Sequence, residues 1–290
     1  MRTDAMEHRP TDATPPQSTA AAAPDSGHGP GRLVAFAVLT LALTWAVWLP
    51  ALTLLGAQAT PLVMLGAFGP AVAGAIMMRA EGASIRGWLR RVLRFRVRKR
   101  WYAAALALPL IEPVVVGAVA AASGAPLTVA ELPARLPYVL AGFVVVLLVG
   151  GGQEELGWRG YLLPRLQARV SPLLASVVVG ALWAVWHLPL FVLDMPGYQY
   201  EHVSFAIYLP IVVSLSVVMT WVFNHTSGSV VLAMLLHAAF NSWDNLVPVP
   251  ASVRLDGEVE LLAHLGVAVA YGLLAVGLLV GSRARLGPPA

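Results

Sequence analysis

The chain has 290 residues, of which 58% are hydrophobic and only 12% charged, with a formal net charge of +4. A composition this apolar excludes an ordinary soluble domain and predicts a helical protein that crosses a lipid bilayer several times. The lack of cysteine excludes disulfides, thiol nucleophiles and thiolate metal sites. Since the arginines cluster between apolar runs, they indicate membrane topology, and we expect no nucleic-acid partner.

The N-terminal segment 1–31 is rich in Pro, Ala, Ser, Thr and Asp and has almost no large apolar side chains. Such a segment cannot bury enough apolar surface to offset the entropy lost on ordering, so we predict a disordered tail. No repeat and no second soluble domain is visible in the rest of the sequence. We therefore predict one transmembrane domain over 32–282 and a short cytoplasmic tail over 283–290.

Apolar runs of roughly 17–25 residues are long enough to span a bilayer as helices. Such runs are predicted near Leu33–Leu55, Pro61–Met78, Trp101–Ala122, Pro137–Gly160, Pro172–Leu193, Val203–Phe223, Gly228–Val247 and Glu260–Val280. The predicted fold is therefore an all-α, polytopic transmembrane bundle of about eight helices. A re-entrant segment broken by proline would reduce the number of crossings to six or seven.

The distribution of arginines predicts the orientation of these helices. A dense run of basic residues between Arg86 and Arg100 is expected to be cytoplasmic, whereas the loops near Ala57–Thr60, Asp194–Glu201 and Val249–Glu258 hold almost no Lys or Arg. Both termini are then cytoplasmic in a multi-pass protein of the plasma (inner) membrane, and the composition indicates a bacterial source. The arginines, Trp and Leu after position 86 predict either an interfacial helix or a solvated basic loop.

Two carboxylates and an arginine follow the apolar run of the fourth helix, in the stretch Gly151–Tyr161. An ionisable residue in a spanning segment costs a few kcal/mol and therefore indicates a functional site with a nearby partner. Glu155 and Arg159 are four residues apart and can pair on one helix face, whereas Glu154 is rotated about 100° away. The alternative is a helix end that emerges into water with solvated charges.

Polar side chains also occur within two later apolar runs. His187 lies deep in the fifth run, and His237 and Asn241 are four residues apart in the seventh, so they share a helix face. Each of these features has a simpler explanation when it is taken singly. His187 could be a core histidine bonded to a neighbour, and the pair in the seventh run could form a hydrogen bond that packs two helices. Together with the glutamates they predict one site on three helices. The glutamates and His187 lie at the same depth in the membrane only if the fourth helix continues beyond Gly160 toward Pro164.

Three motifs carry a resemblance to a known family: Glu154-Glu155-x-x-x-Arg159, Trp183-x-x-x-His187 and His237-x-x-x-Asn241. In this order and on these helices they resemble the motifs of the CPBP family. This family contains the type II CAAX prenyl proteases and the bacterial Abi-type intramembrane proteases. The resemblance covers the motif core, 150–245. The family pattern is most often written with Phe where this chain has Trp183, and this exchange of aromatic residues puts little of the resemblance in doubt.

The resemblance implies an intramembrane endopeptidase, of the glutamate type or a metalloprotease, whose site lies within the membrane and opens toward the cytoplasm. Its catalytic residues would be Glu154, Glu155, Arg159, His187, His237 and Asn241. Glu154 would act as general base and, with His187, would activate the attacking water. Glu155, paired with Arg159, would order the site. The histidine and asparagine of the third motif would donate hydrogen bonds to the oxyanion.

No cofactor is expected, although the family carries a metalloprotease label and Glu plus two His would be a plausible zinc set. The chain lacks the His-Glu-x-x-His signature of zinc peptidases, which favours a metal-free mechanism. The expected partners are the lipid bilayer and a membrane-associated protein or peptide substrate, prenylated or not. The alternatives are a non-catalytic immunity or scaffold protein of the same fold and a proton-coupled transporter, although no inverted repeat supports a transporter.

Overall fold

The computed structural model describes residues 29–193, 203–249 and 257–287, and within these ranges the chain forms helices and turns but no strand. This confirms the predicted all-α class. In chain order the α-helices are α1 (Pro30–Leu55), α2 (Thr60–Gly66), α3 (Gly69–Ala80), α4 (Ile85–Val92), α5 (Lys99–Ala107), α6 (Ile111–Ala122), α7 (Leu132–Val149), α8 (Glu155–Gly157), α9 (Leu163–Gln167), α10 (Pro172–Trp186), α11 (Leu188–Val192), α12 (Phe205–His225), α13 (Val230–Trp243) and α14 (Gly257–Gly281). A 3-10 turn precedes α8 at Gly152–Glu154, and a π-helical turn joins α8 to α9 at Trp158–Leu162.

Several helical stretches of the described residues are long and apolar enough to cross a membrane. They are Pro30–Ala80, Lys99–Ala122, Val129–Gln167, Phe205–His225 and Gly257–Gly281, and the shorter α10 is also apolar. The first stretch folds back on itself, because Thr44 and Trp48 of α1 donate hydrogen bonds to the carbonyl oxygens of Gly66 and Val63 in α2. A multi-pass helical membrane bundle is thus confirmed, whereas the number of eight crossings stays a prediction.

The first and last described helices begin and end close to the predicted limits of the membrane domain. Helix α1 begins at Pro30, inside the predicted 1–31 tail, because proline is favoured in the first helical turn, where its missing N–H costs nothing. The rest of that tail, 1–28, lies outside the described residues. Near the other end, the chain turns back after α14 and buries Leu286 completely, against Val217 and Ala275. Residues 288–290 and most of two predicted external loops, within 194–202 and 250–256, lie outside the described ranges.

The fourth predicted helix is not continuous. Instead of one helix over Pro137–Gly160, α7 ends at Val149, the backbone breaks at Gly150 and Gly151, and a helical path resumes to Gln167. The continuation beyond Gly160, on which the matching depths depended, is therefore present. A Cβ atom on Gly152 would collide with the carbonyl oxygen of Leu147, so the chain can fold back this tightly only with glycine there.

Segments predicted to lie on the same side of the membrane meet at the same end of the bundle. At one end the contacts are Glu81 with Arg165, Arg94 with Ser229, and Trp101 with His225. At the other end the backbone N–H of Thr128 donates to the carbonyl oxygen of Pro248 at 2.7 Å. The basic stretch at the first end contains a helix, α4, and the indole of its buried Trp88 donates to the carbonyl oxygen of Gly160 at 3.0 Å.

The segment 152–167 is the centre of the bundle. Phe36 of α1 stacks on Tyr161 with ring centroids 4.9 Å apart and meets Trp158 edge-on at 6.0 Å. Large apolar side chains are instead exposed on the outward faces of the long helices, as for Val34, Leu148 and Leu273. These faces are expected to contact acyl chains, so the polar residues of the central segment lie inside the protein and away from lipid.

Candidate active site

The glycines that interrupt the fourth span set the geometry of the site. Gly151 has a φ of 154°, a conformation that favours glycine. A Cβ atom on Gly151 would lie only 2.7 Å from Nε2 of His237 and 3.0 Å from Nδ2 of Asn241. The backbone at the break therefore passes directly against these two side chains. The amide of Asn241 also reaches the carbonyl oxygen of Gly150 at 3.5 Å.

Glu155 is fully buried and lies at the centre of a network of charged hydrogen bonds. Both carboxylate oxygens accept from Nη1 of Arg159, at 3.0 and 2.9 Å, and Oε1 lies 2.8 Å from Nδ1 of His237. The guanidinium also donates from Nη2 to Oγ of Ser216 at 3.1 Å, and that hydroxyl donates to the carbonyl oxygen of Ser176 at 2.8 Å. The predicted pair of Glu155 and Arg159 is present, and His237 also contacts the carboxylate. These contacts compensate the charge of the buried Glu155.

Glu154, one residue earlier, has a different environment. Its Oε2 accepts hydrogen bonds from Nε1 of Trp183 at 3.1 Å and from Nε1 of Trp158 at 3.4 Å. Within the described part of the chain, no arginine, lysine or histidine forms an ion pair with it. One of two adjacent buried carboxylates is thus paired with Arg159 and His237, while the other accepts hydrogen bonds from two neutral indoles at Oε2, which leaves Oε1 for a water molecule.

The sequence predicted His187 deep within one helix. In the structure it lies at the junction of two helices. Helix α10 ends at Trp186, three residues before Pro189, because proline has no backbone N–H to continue the helical hydrogen bonds. The imidazole Nδ1 lies 2.9 Å from the carbonyl oxygen of Trp183. Since a carbonyl oxygen only accepts, Nδ1 carries the hydrogen, and in the neutral ring Nε2 presents a lone pair.

Trp183 connects the parts of the site. Besides the bond to Glu154, its ring centroid lies 4.9 Å from that of His237 and 6.1 Å from that of His187. The guanidinium carbon of Arg159 lies 5.1 Å from the same ring, a cation–π arrangement. Phenylalanine at this position would offer the ring but has no N–H to donate to the glutamate, so Trp183 adds a hydrogen bond that the resemblance did not indicate.

Comparison with known proteins gives a family match for part of the chain. Residues 136–243 match the family described as type II CAAX prenyl endopeptidase Rce1-like. This segment is therefore similar to that family. The chain is also 30% identical over 115 residues to CAAX prenyl protease 2 of Methanococcus maripaludis, a match that covers 38% of this chain and 42% of that protein. The matched region thus spans less than half of the relative. The Rce1-like segment contains all three motifs, which confirms the family predicted from them.

Contacts join all six predicted catalytic residues of the Rce1-like segment in one cluster. Three further participants were not predicted from sequence. Trp158 is four residues after Glu154, a spacing that could have indicated a contact. Gln153 accepts the N–H of Gly151 at 2.9 Å and donates to the carbonyl oxygen of Ala67 at 3.3 Å, which fixes the break against α3. Ser216 carries no motif, and only the packing of α12 against α10 brings it to the guanidinium.

The site was also compared with the zinc set considered from sequence. Among the described residues, no three His, Asp or Glu side chains gather closely enough to hold a metal ion. Nδ1 of both histidines is already bonded, to the carbonyl of Trp183 and to the carboxylate of Glu155, which leaves Nε2 of each ring as the nitrogen that could reach a metal. In the described arrangement these residues do not form the set of three protein ligands with an open position that is usual in zinc peptidases. No step of the mechanism below passes through a metal.

Proposed function

We propose that the chain is an intramembrane endopeptidase that cleaves a membrane-associated protein or peptide with an activated water molecule. The observation that carries this proposal is the contrast between the two adjacent carboxylates. Glu155 is saturated by Arg159 and His237, whereas Glu154 has no cation partner in the described chain and holds one oxygen ready for water. A carboxylate without an ion pair in a buried site is suited to remove a proton as general base.

Glu154 and His187 would hold the attacking water between them. The carboxylate accepts one hydrogen of the water, and Nε2 of the imidazole, left unprotonated by the bond from Nδ1 to a backbone carbonyl, accepts the other. The oxygen lone pair then points at the carbonyl carbon of the scissile peptide. Glu154 takes the proton as the C–O bond forms, and gives it to the amine as the C–N bond breaks.

The third motif would stabilise the oxyanion of the tetrahedral intermediate. Nε2 of His237 and Nδ2 of Asn241 both face the backbone at Gly151, so they point to the same space. A hydrogen bond from Nε2 requires a doubly protonated ring, because Nδ1 already faces the carboxylate of Glu155. With Arg159 charged, the four ionised groups of the site then sum to zero. Donors preorganised in this way are worth several kcal/mol in the transition state.

The family description and the name of the archaeal relative contain the words CAAX prenyl, so a prenylated C-terminal segment is the first substrate class to assay. Such a lipid-anchored peptide would reach the site from the bilayer. We further propose that the end of the bundle with α4 faces the cytoplasm, that both termini lie there, and that the protein resides in the plasma membrane. The arginines between Arg86 and Arg100 support this orientation.

The test compares membranes that contain wild-type protein or Glu154→Gln. The amide keeps the shape of the side chain but has negligible basicity, so the cleavage product should fall to background. Asn241→Ala should retain measurable activity, since the loss of one oxyanion donor typically costs about 10²–10³ in rate. Products are identified by proteomics of the membrane fraction and then assayed with the purified variants.

A matched control is Glu112→Gln, which makes the same exchange at another buried carboxylate, in α6. This variant should cleave normally at equal membrane levels. Near-normal turnover by Glu154→Gln would contradict the proposed mechanism. Loss of product in both variants would show that the exchange damages the bundle, and in that case the family assignment alone would remain.

A further inference from the structure

A cavity lies away from the catalytic cluster, where α12 and α14 end. Its volume is about 600 Å³, and its walls include Trp221, His225, Leu278, Arg283, Arg285 and Gly287. It shares no residue with the six proposed catalytic residues. His225 contacts Trp101 at the start of α5, with ring centroids 5.2 Å apart, so the cavity opens at the same end of the bundle as the basic segment.

The wall of this cavity is formed by a strained reversal of the chain. Arg283, Ala284 and Leu286 have φ values of 50°, 60° and 46°, in the left-handed region that side chains other than glycine rarely adopt. Each of these conformations is unfavourable for a residue with a side chain. The turn is held by the N–H of Leu286, which donates to Oγ of Ser282 at 3.1 Å, and by the complete burial of the Leu286 side chain. Strain retained in this way indicates a function for the turn, and its effect is to fix both arginines on the cavity wall.

The cavity is electropositive. No carboxylate of the described residues forms an ion pair with Arg283 or Arg285. His225 donates from Nδ1 to the carbonyl oxygen of Trp221 at 2.8 Å, which leaves Nε2 for another partner. Arg100 adds a cation over the ring of Trp101 at 5.4 Å. The two helix C-termini contribute only partial negative charges, so the positive charge of the arginines exceeds theirs and suits an anionic ligand.

Another part of the wall is apolar and has room beside it. Gly277 and Gly281 lie one turn apart on α14, and a Cβ atom at either position would meet nothing within 4 Å. Together with Leu278 and Trp221 they form an apolar surface next to the arginines. The cavity has a basic rim beside an apolar wall, at the level where spanning helices end. These two parts are complementary to the anionic headgroup and the acyl chain of a phospholipid.

We propose that this cavity binds the phosphate-bearing headgroup of an anionic phospholipid. The arginines contact the phosphate, and an acyl chain lies along the glycines of α14. Basic pockets between transmembrane helices are a known form of lipid recognition. Such a lipid would tie the C-terminal turn to the start of α5, and its retention does not require the proposed peptidase activity.

The full chain is purified in detergent and its lipid adducts are measured by native mass spectrometry, with phosphatidylglycerol, phosphatidylcholine or inorganic phosphate as the probe. Wild-type protein should bind phosphatidylglycerol in preference to the zwitterionic lipid. The double variant Arg283→Gln/Arg285→Gln should lose roughly 30-fold in that affinity, because two basic residues next to an anionic headgroup are removed. Gly281→Leu, which fills the cavity without a change in charge, should also lose the lipid.

The matched control is Arg96→Gln/Arg98→Gln, which removes the same charge from exposed positions at the same end of the bundle. It should bind phosphatidylglycerol like wild type. An equal loss in this control would assign the affinity to general surface charge and overturn the proposal. If inorganic phosphate bound as tightly as the lipid, the cavity would be assigned to a free anion, and the proposal would also be overturned. Variants are compared only when their elution volume and melting temperature match those of wild type.

Discussion

Replacement of Gly151 by alanine tests whether the backbone at the break positions the third motif. The added Cβ would lie 2.7 Å from Nε2 of His237 and 3.0 Å from Nδ2 of Asn241, both shorter than ordinary contacts. The imidazole cannot simply move away, because Nδ1 is bonded to Glu155 and the ring packs on Trp183. The side chains or the backbone must therefore shift by several tenths of an ångström, on top of the strain of a positive φ.

The expected cost follows from these distances. A misplacement of about 1 Å in a catalytic group can reduce the rate about 10²-fold, and an unfavourable backbone conformation costs on the order of 1–3 kcal/mol of stability. We therefore expect Gly151→Ala to lower kcat by roughly 10- to 100-fold and to lower the melting temperature moderately. The cleavage rate is measured with purified protein on the substrate identified by proteomics.

The control is Gly142→Ala in α7, where an added Cβ meets nothing within 4 Å. Alanine is preferred over glycine inside a helix by roughly 1 kcal/mol, so this variant should cleave normally and melt no lower than wild type. Wild-type turnover by Gly151→Ala would refute the idea that the break holds the oxyanion donors in place. A rate loss of the same size in both variants would refute it as well.

Four other predictions follow from the site and the bundle. Glu155→Gln should destabilise the protein by about 3–5 kcal/mol, seen as a lower melting temperature, because Arg159 is left buried without its carboxylate; an unchanged melting temperature would contradict this. Trp183→Phe should leave the fold intact and lower kcat about 10-fold, through the loss of one hydrogen bond to a charged group, and an unaltered rate would show that the indole N–H is not used. Activity should survive strong chelation, and protein inactivated by a chelator and restored by zinc alone would show the opposite. Since the chain has no native cysteine, a single cysteine at Thr60 should react with an impermeant thiol reagent added outside intact cells, and one at Ser84 should not; the reverse pattern would invert the orientation.

The amino-acid sequence alone was sufficient to predict the fold class and the residue types of the site. Long apolar runs have few stable solutions in a bilayer other than helices, since each backbone group must be bonded within its own segment. The costly polar residues within those runs, Glu154, Glu155, His187, His237 and Asn241, therefore stood out without any structure. The spacing of four residues also predicted the pair of Glu155 and Arg159, because helical periodicity is a local property.

Only the tertiary structure decided which partners each of these residues contacts. The break at Gly151 depends on how closely α13 approaches it, and the end of α10 places His187 where a continuous helix would not. Trp183 and Ser216 act through partners on other helices, 29 and 57 residues away along the chain. Such contacts depend on how helices pack against one another, which periodicity and composition do not encode. The two adjacent glutamates are alike in sequence and differ only because packing gives one of them the cations and the other the indoles.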